Sequence, residues 1–308
     1  SITADGRRNN KFMMKVLNKL MNKVCKTENE DYIIFGDTDS CGINFQPYVD
    51  KYIDLEDNIE IAKEIEKFID KKIQPVLRDA TKHIQKKSNS KDNRLDFELE
   101  VISDKSIFKA KKRYFKRKVY EDGRYYKDNK MKITGLEVVK KSTPLIMKPY
   151  LKELYLKMLI SNEEDFQQYF SEMEEAYMKA ELYDIGKAIS VKDIDEDIDN
   201  EYSLHRKGAT NQEKASINYN YLIDVFELHG KYLKILEKDR IKVFNLKSNE
   251  YNFKEIACIN KFPPEFGIEE YIDKDYMFNK VIKTPLQELA TIRGWECEKG
   301  RDYDGYTI

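Results

Sequence analysis

Asp37 and Asp39 stand two residues apart in Gly36-Asp37-Thr38-Asp39-Ser40, with no cation beside them and with the runs Tyr32-Ile33-Ile34-Phe35 and Cys41-Gly42-Ile43-Asn44-Phe45 on either side. Two carboxylates that close repel one another, and the repulsion costs stability unless something positive is held between them. A hard divalent cation such as Mg²⁺ suits the pair, because it prefers carboxylate oxygens and leaves positions open for phosphates. The flanks are β-branched or aromatic and the centre is turn chemistry, so the local reading is a β-hairpin with the carboxylates on its tip. A solvated hairpin tip that merely favours Asp and Gly accounts for the same five residues.

A second cluster is cationic. Between Lys105 and Lys148 there are 15 Lys or Arg against four acids, although the chain as a whole carries a net charge of −1. Tyr114, Phe115, Tyr120, Tyr125 and Tyr126 are interleaved with these cations. Such a block is an electrostatic footprint for a phosphate backbone, and a solvated charged face is the alternative reading. The stretch KDIDEDIDNE, residues 192–201, is by contrast strongly acidic.

The elements that must position these groups are legible from periodicity. Met13, Val16, Leu17, Leu20, Met21 and Val24 recur at helical spacing and predict an amphipathic helix over 9–24. A second helical pattern runs from Asn58 to about Ile84, with a kink expected at Pro75. The period then changes to two, predicting strands over 95–103, 106–120 and 125–139 with Asp122-Gly123 as a hairpin turn. Ser142-Thr143-Pro144 is a helix-start signal, and helices are expected over 144–160, 163–182, 211–229 and 275–291. Residues 231–246 alternate and predict a hairpin around Lys238-Asp239-Arg240. The fold class is therefore α+β, an antiparallel sheet with packed helices over 1–141 followed by a mainly helical domain over 142–308. At 308 residues, 36% charged and 41% hydrophobic, the chain is long enough for two cores. Cys25, Cys41, Cys258 and Cys297 lack metal or redox spacing. No apolar run reaches the roughly 18 residues of a membrane span, and no signal-peptide pattern opens the chain, so a cytoplasmic protein is expected.

In order along the chain, these features resemble the C-terminal part of family B DNA polymerases, in particular those of T-even-like phages. Gly36-Asp37-Thr38-Asp39-Ser40 matches the palm motif YGDTDS with Phe35 for the usual Tyr, and Lys111-Lys112-Arg113-Tyr114 matches the KKRY motif that follows it. Phe97-Glu98-Leu99-Glu100 resembles the acidic strand between them, KITGLEVVKKSTP resembles the stretch leading into the thumb, and HRKGATNQEKASINYN resembles a thumb segment. The resemblance implies a palm over 1–141 and a thumb over 142–308. It implies nucleotidyl transfer with two Mg²⁺ ions roughly 3.5–4 Å apart, Asp39 as the principal metal ligand, Asp37 as a weaker one and Glu100 tuning the site. Lys111, Lys112, Arg113, Tyr114, Lys140, Lys141, His205, Arg206 and Lys207 become contacts to primer-template DNA. Tyr303, Tyr306 and Ile308, in the tail RDYDGYTI, become anchors for a sliding clamp.

The match also departs from the family. No SLYPS-type motif A segment and no NSLYG-type fingers segment occurs in these residues, so one metal-binding aspartate, the clamp for the incoming dNTP and the exonuclease are expected from an N-terminal polymerase portion. A split gene, a fragment and a degenerate noncatalytic DNA-binding module each fit this departure. A metal-dependent nucleotide-sugar transferase also uses Asp-x-Asp, but it calls for a nucleotide-binding α/β half before the motif, where about 30 residues stand.

Overall fold

The computed structural model describes residues 2–37, 40–87, 91, 95–192, 194 and 207–298, with side chains from residue 6 onward. It is a mixed α+β structure in which the pairings of Ile33–Gly36 with Cys41–Ile43, of Arg113–Glu121 with Val101–Ala110 and Arg124–Tyr125, and of Arg240–Asn245 with Lys187–Ser190 and Glu255–Cys258 are all antiparallel, as the change of sequence period implied. The chain divides into two compact units, residues 1–132 and 133–308.

The first unit is built on α1 (Ile2–Cys25). Its inward stripe of Asn10, Met13, Leu17, Met21 and Cys25 is buried. Met13 and Leu17 pack against Ile65, Ile69, Ile73, Leu77, Ala80 and Ile84. Those residues lie on α3 (Asn58–Phe68), a π-helical turn at Ile69–Ile73 and α4 (Gln74–Lys87), α2 being the short helix Gln46–Tyr52. Pro75 does not kink a regular helix at its own position. The π turn stands just before it, a wider coil of the kind that accommodates a local defect in the i to i−4 ladder.

The outward stripe of α1 is unusual. From Arg7 to Lys26 the sequence holds seven cations and no acid, so the pairs 7/11, 11/15, 15/19 and 19/23 are all like-charged neighbours one turn apart. Each such pair costs about 0.2–0.5 kcal/mol.

After α1 come β1 (Ile33–Gly36) and β2 (Cys41–Ile43), a two-stranded antiparallel hairpin. The second hairpin is β3 (Val101–Ala110) and β4 (Arg113–Glu121), extended by β5 (Arg124–Tyr125) and by β6 (Met131–Thr134), which pairs with β4. Two expectations are corrected here. Residues 95–100 form no ladder, although Phe97 and Leu99 pack on the helical cluster. The single strand expected over 106–120 is two strands, because Lys111 and Lys112 form the turn between them and Lys112 takes a left-handed φ of 59°. The Asp122-Gly123 turn is as expected, with φ of 47° and 81°, the paired left-handed values a two-residue hairpin loop needs.

The second unit is mainly helical. It begins with α5 (Lys148–Ile160) and α6 (Glu163–Lys179), whose Leu154, Tyr155, Met158, Phe166, Phe170, Met173 and Tyr177 are completely buried. After α7 (Leu182–Ile185) the strand β7 (Lys187–Ser190) pairs with β8 (Arg240–Asn245), which pairs in turn with β9 (Glu255–Cys258). The expected hairpin over 231–246 is therefore absent: only 240–245 is a strand, and its partners are the distant β7 and the following β9. Between β7 and β8 lies α8 (Asn211–Val225), which Thr210 and Glu213 start with a reciprocal capping box. α9 (Lys274–Phe278), a π turn and α10 (Thr284–Ala290) complete it.

Candidate active site

The carboxylate turn is closed by its own backbone and held from beneath. The Asp37 N–H donates to the Ser40 carbonyl at 2.8 Å across the hairpin end. The side-chain amide of Asn10, on α1 and 3% exposed, donates to the carbonyls of both Asp37 and Ser40, the latter at 3.0 Å. One buried amide thus ties together the two residues that bracket Thr38 and Asp39. α1 reaches the turn closely enough that a Cβ on Gly36 would sit 2.6 Å from the Met14 sulfur. Thr38 and Asp39 themselves lie outside the described residues.

The two hairpins of the first unit are joined by aromatic rings. Phe35 stacks on Phe108 with centroids 5.4 Å apart and on Tyr114 at 6.0 Å, and Phe108 meets Tyr114 at 5.2 Å. The Phe35 ring also covers Gly42, where an added Cβ would come within 2.1 Å of it. Phe serves at position 35 because the ring is spent on packing.

This packing sets the β3–β4 turn beside Asp37. Lys111 Nζ lies 3.7 Å from Asp37 Oδ1, and Lys112 Nζ lies 3.4 Å from Asp37 Oδ2. The Asp37 carboxylate is 25% exposed while both lysines are mostly in solvent, so the charges meet at an open surface where ion pairs contribute little stability. Among the described residues no group of three or more His, Cys, Asp or Glu converges to hold a metal ion. Of the two carboxylates in the motif, Asp37 is the one described.

Glu100 is not brought to this turn. Its carboxylate accepts from Lys132 Nζ at 2.7 Å, and it stands where β3 begins, at the opposite end of the hairpin from Lys111. Ten residues of strand, roughly 30 Å at about 3.3 Å per residue, separate them.

Several cations of the basic block are neutralised internally. Arg117 forks onto Asp104, Lys118 pairs with Glu121, Lys132 with Glu100, and Lys140 with the buried Glu137 at 2.7 Å. The Lys118 hydrogen bond draws the Glu121 pKa down, whereas burial followed by the charge of Lys132 draws the Lys116 pKa down. The outward charge is thus smaller than the sequence count implied. Lys111 and Lys112 remain exposed at the turn, Arg113 and Tyr114 follow them half-buried in β4, and Lys141 and Lys207 are exposed on the second unit. His205, Arg206, Tyr303, Tyr306 and Ile308 lie outside the described residues. Asn10 went unread in the sequence, where it looked like a polar start to an apolar stripe.

Comparison with known proteins agrees with the resemblance to T-even phage polymerases. No family model matches the chain. It is 24% identical over 325 residues to the DNA-directed DNA polymerase of Enterobacteria phage T4, an alignment that covers 99% of this chain and 35% of that polymerase. It is 28% identical over 173 residues to the DNA-directed DNA polymerase of Escherichia phage RB69, covering 53% of this chain and 19% of the relative. The chain is related to these T-even phage polymerases and spans about a third of the length of the first.

Proposed function

We propose that the chain is the C-terminal palm and thumb portion of a template-directed DNA polymerase, with residues 1–141 as palm and 142–308 as thumb. The observation that carries the reading is the approach of the Lys111-Lys112 turn to Asp37: a motif that grips the primer backbone meets a motif that holds metal. In this reading Asp39 and Asp37 hold Mg²⁺ together with an aspartate from an N-terminal portion, which also supplies the contacts to the dNTP. When bound, the metal would lower the charge cost of bringing a primer hydroxyl to the α-phosphate. The chain's own work is to fix the carboxylates, since a misplacement of about 1 Å costs on the order of a hundredfold in rate, and to neutralise primer phosphates through Lys111, Lys112, Arg113, Lys140 and Lys141. Tyr114 packs beside the duplex, while His205, Arg206 and Lys207 extend the grip to the thumb. Tyr303, Tyr306 and Ile308 would dock a sliding clamp, and synthesis would take place in the host cytoplasm. Among the described residues no helix is long and apolar enough to cross a membrane. The test is Asp39→Ala in the assembled enzyme, which abolishes nucleotide addition while primer-template affinity stays within a few fold; normal extension by that variant under Mg²⁺ reduces the hairpin to an ordinary turn.

A further inference from the structure

The outward face of α1 lines a preformed groove. About 1290 Å³ in volume, it has Arg7, Arg8, Lys11, Lys15 and Lys19 along one wall and Ile33 of β1 near the other. Its far lip is the loop after α1, held by the Asn18 and Asn22 side-chain amides, which donate to the Glu30 carbonyl at 3.0 and 2.8 Å. Asn18 Oδ1 also accepts from the Tyr32 N–H at 2.7 Å. Glu28 and Asp31 at that lip are the acids lining the groove among the described residues.

Three of these cations, Lys11, Lys15 and Lys19, are not compensated by the described residues. On α3, Lys63 and Lys67 each pair with a glutamate one turn away at 2.7 Å. Among the described residues no carboxylate pairs with Lys11, Lys15 or Lys19. A helix that keeps four like-charged neighbours in a row gains from an anion laid along it. Lysines four residues apart advance about 6 Å along the helix axis, so Lys11, Lys15 and Lys19 form a row about 12 Å long, enough to meet several phosphates spaced about 3.4 Å apart along a stacked strand. The composition argues against a protein partner, because protein interfaces are depleted in lysine.

We propose that this groove binds the phosphate backbone of single-stranded DNA, without reading its sequence, and so forms a second nucleic-acid track distinct from the Lys111-Lys112 turn. The assignment of that strand as the template rests on the polymerase reading above; the groove's affinity for a polyanion does not.

The test is fluorescence anisotropy of the full chain with a labelled oligothymidylate over a salt series. The probe is compared for the wild type, a Lys11→Ala/Lys15→Ala/Lys19→Ala variant, a Lys63→Ala/Lys67→Ala control and a Lys111→Ala/Lys112→Ala variant. The three α1 substitutions sit on an exposed helical face and raise helix propensity, so circular dichroism should be unchanged. They are expected to weaken binding at least about tenfold at low salt and to flatten the plot of log affinity against log salt by about 2, at roughly 0.7 per phosphate contact. The α3 control should behave as wild type. A wild-type slope in the α1 variant overturns the groove, and if the Lys111/Lys112 variant alone weakens binding, the polymerase reading stands without it. Wild-type behaviour in both variants sinks both. Intact DNA binding with lost association to an N-terminal polymerase portion would make the groove a protein interface, which also overturns the proposal.

Discussion

Replacing Asn10 by Ala removes one side chain from the first unit and two hydrogen bonds from the carboxylate turn. Both bonds run from the buried amide to backbone carbonyls, those of Asp37 and Ser40. At about 0.5–1.5 kcal/mol net for each bond, the turn should lose about 1–3 kcal/mol. The loss is local. Asn10 closes the turn of a hairpin whose strands are only four and three residues long, so the opening that exposes the Asp37 N–H becomes easier before the rest of the unit unfolds. Since about 1.4 kcal/mol is a factor of ten, exchange protection of that amide should fall between about five- and a hundredfold. Hydrogen exchange followed by mass spectrometry on a peptide spanning 33–43 reads this directly, with a peptide from α4 as the internal reference. In the assembled enzyme the same variant should need more Mg²⁺ for half-maximal extension, because the frame around Asp39 is looser. Asn10→Ser, which keeps a donor on a shorter arm, should recover part of both effects. Unchanged protection in the hairpin of Asn10→Ala would refute the reasoning, and equal loss in the hairpin and α4 would make Asn10 an ordinary core residue.

Gly42→Ala puts a methyl group against the Phe35 ring, 2.1 Å from its nearest atom, so the ring must leave its stack on Phe108 and Tyr114. Thermal denaturation should show a loss of about 1–3 kcal/mol, and Phe35→Leu/Gly42→Ala should restore part of it. Glu121 is drawn below its ordinary value of 4.5 by Lys118. Between the lowered and the ordinary value the unfolded chain holds more protons than the folded one, so this contribution is present above about pH 4.5 and is lost as the pH falls through the folded value. Urea denaturation across that window should show a shallower acid loss for Glu121→Gln than for wild type; parallel profiles would remove the pair from the acid response.

How much of this was legible in the sequence differs by element. The hairpin of β1 and β2 was readable because turn residues separate two short β-branched runs, and α1 because its apolar stripe keeps a single period for most of its length. The β3–β4 turn was not, since Lys111 and Lys112 continue the look of an alternating strand and no Gly or Asn marks the left-handed φ at Lys112. That turn sets two lysines on Asp37, so its position in sequence was evident only through motif resemblance. β7 and β9 escaped notice because each is four residues long, and β7 finds its partner far along the chain, Ser190 opposite Arg240, which local periodicity cannot register. Glu100 looked well placed by its order between two motifs, yet sequence order along a hairpin says nothing about which end faces a neighbour. Asn10 is the instructive omission: a short amide at i−3 to Met13 on a buried stripe signals a backbone group in need of a donor.

The most direct test of the account is primer extension with Mg²⁺ by this chain alone, by a polymerase portion ending at the fingers, and by the two together. The sequence holds Asp37 and Asp39 but no motif A segment, so the account predicts no synthesis by either piece and extension by the mixture that Asp39→Ala abolishes. Robust synthesis by this chain alone would contradict it.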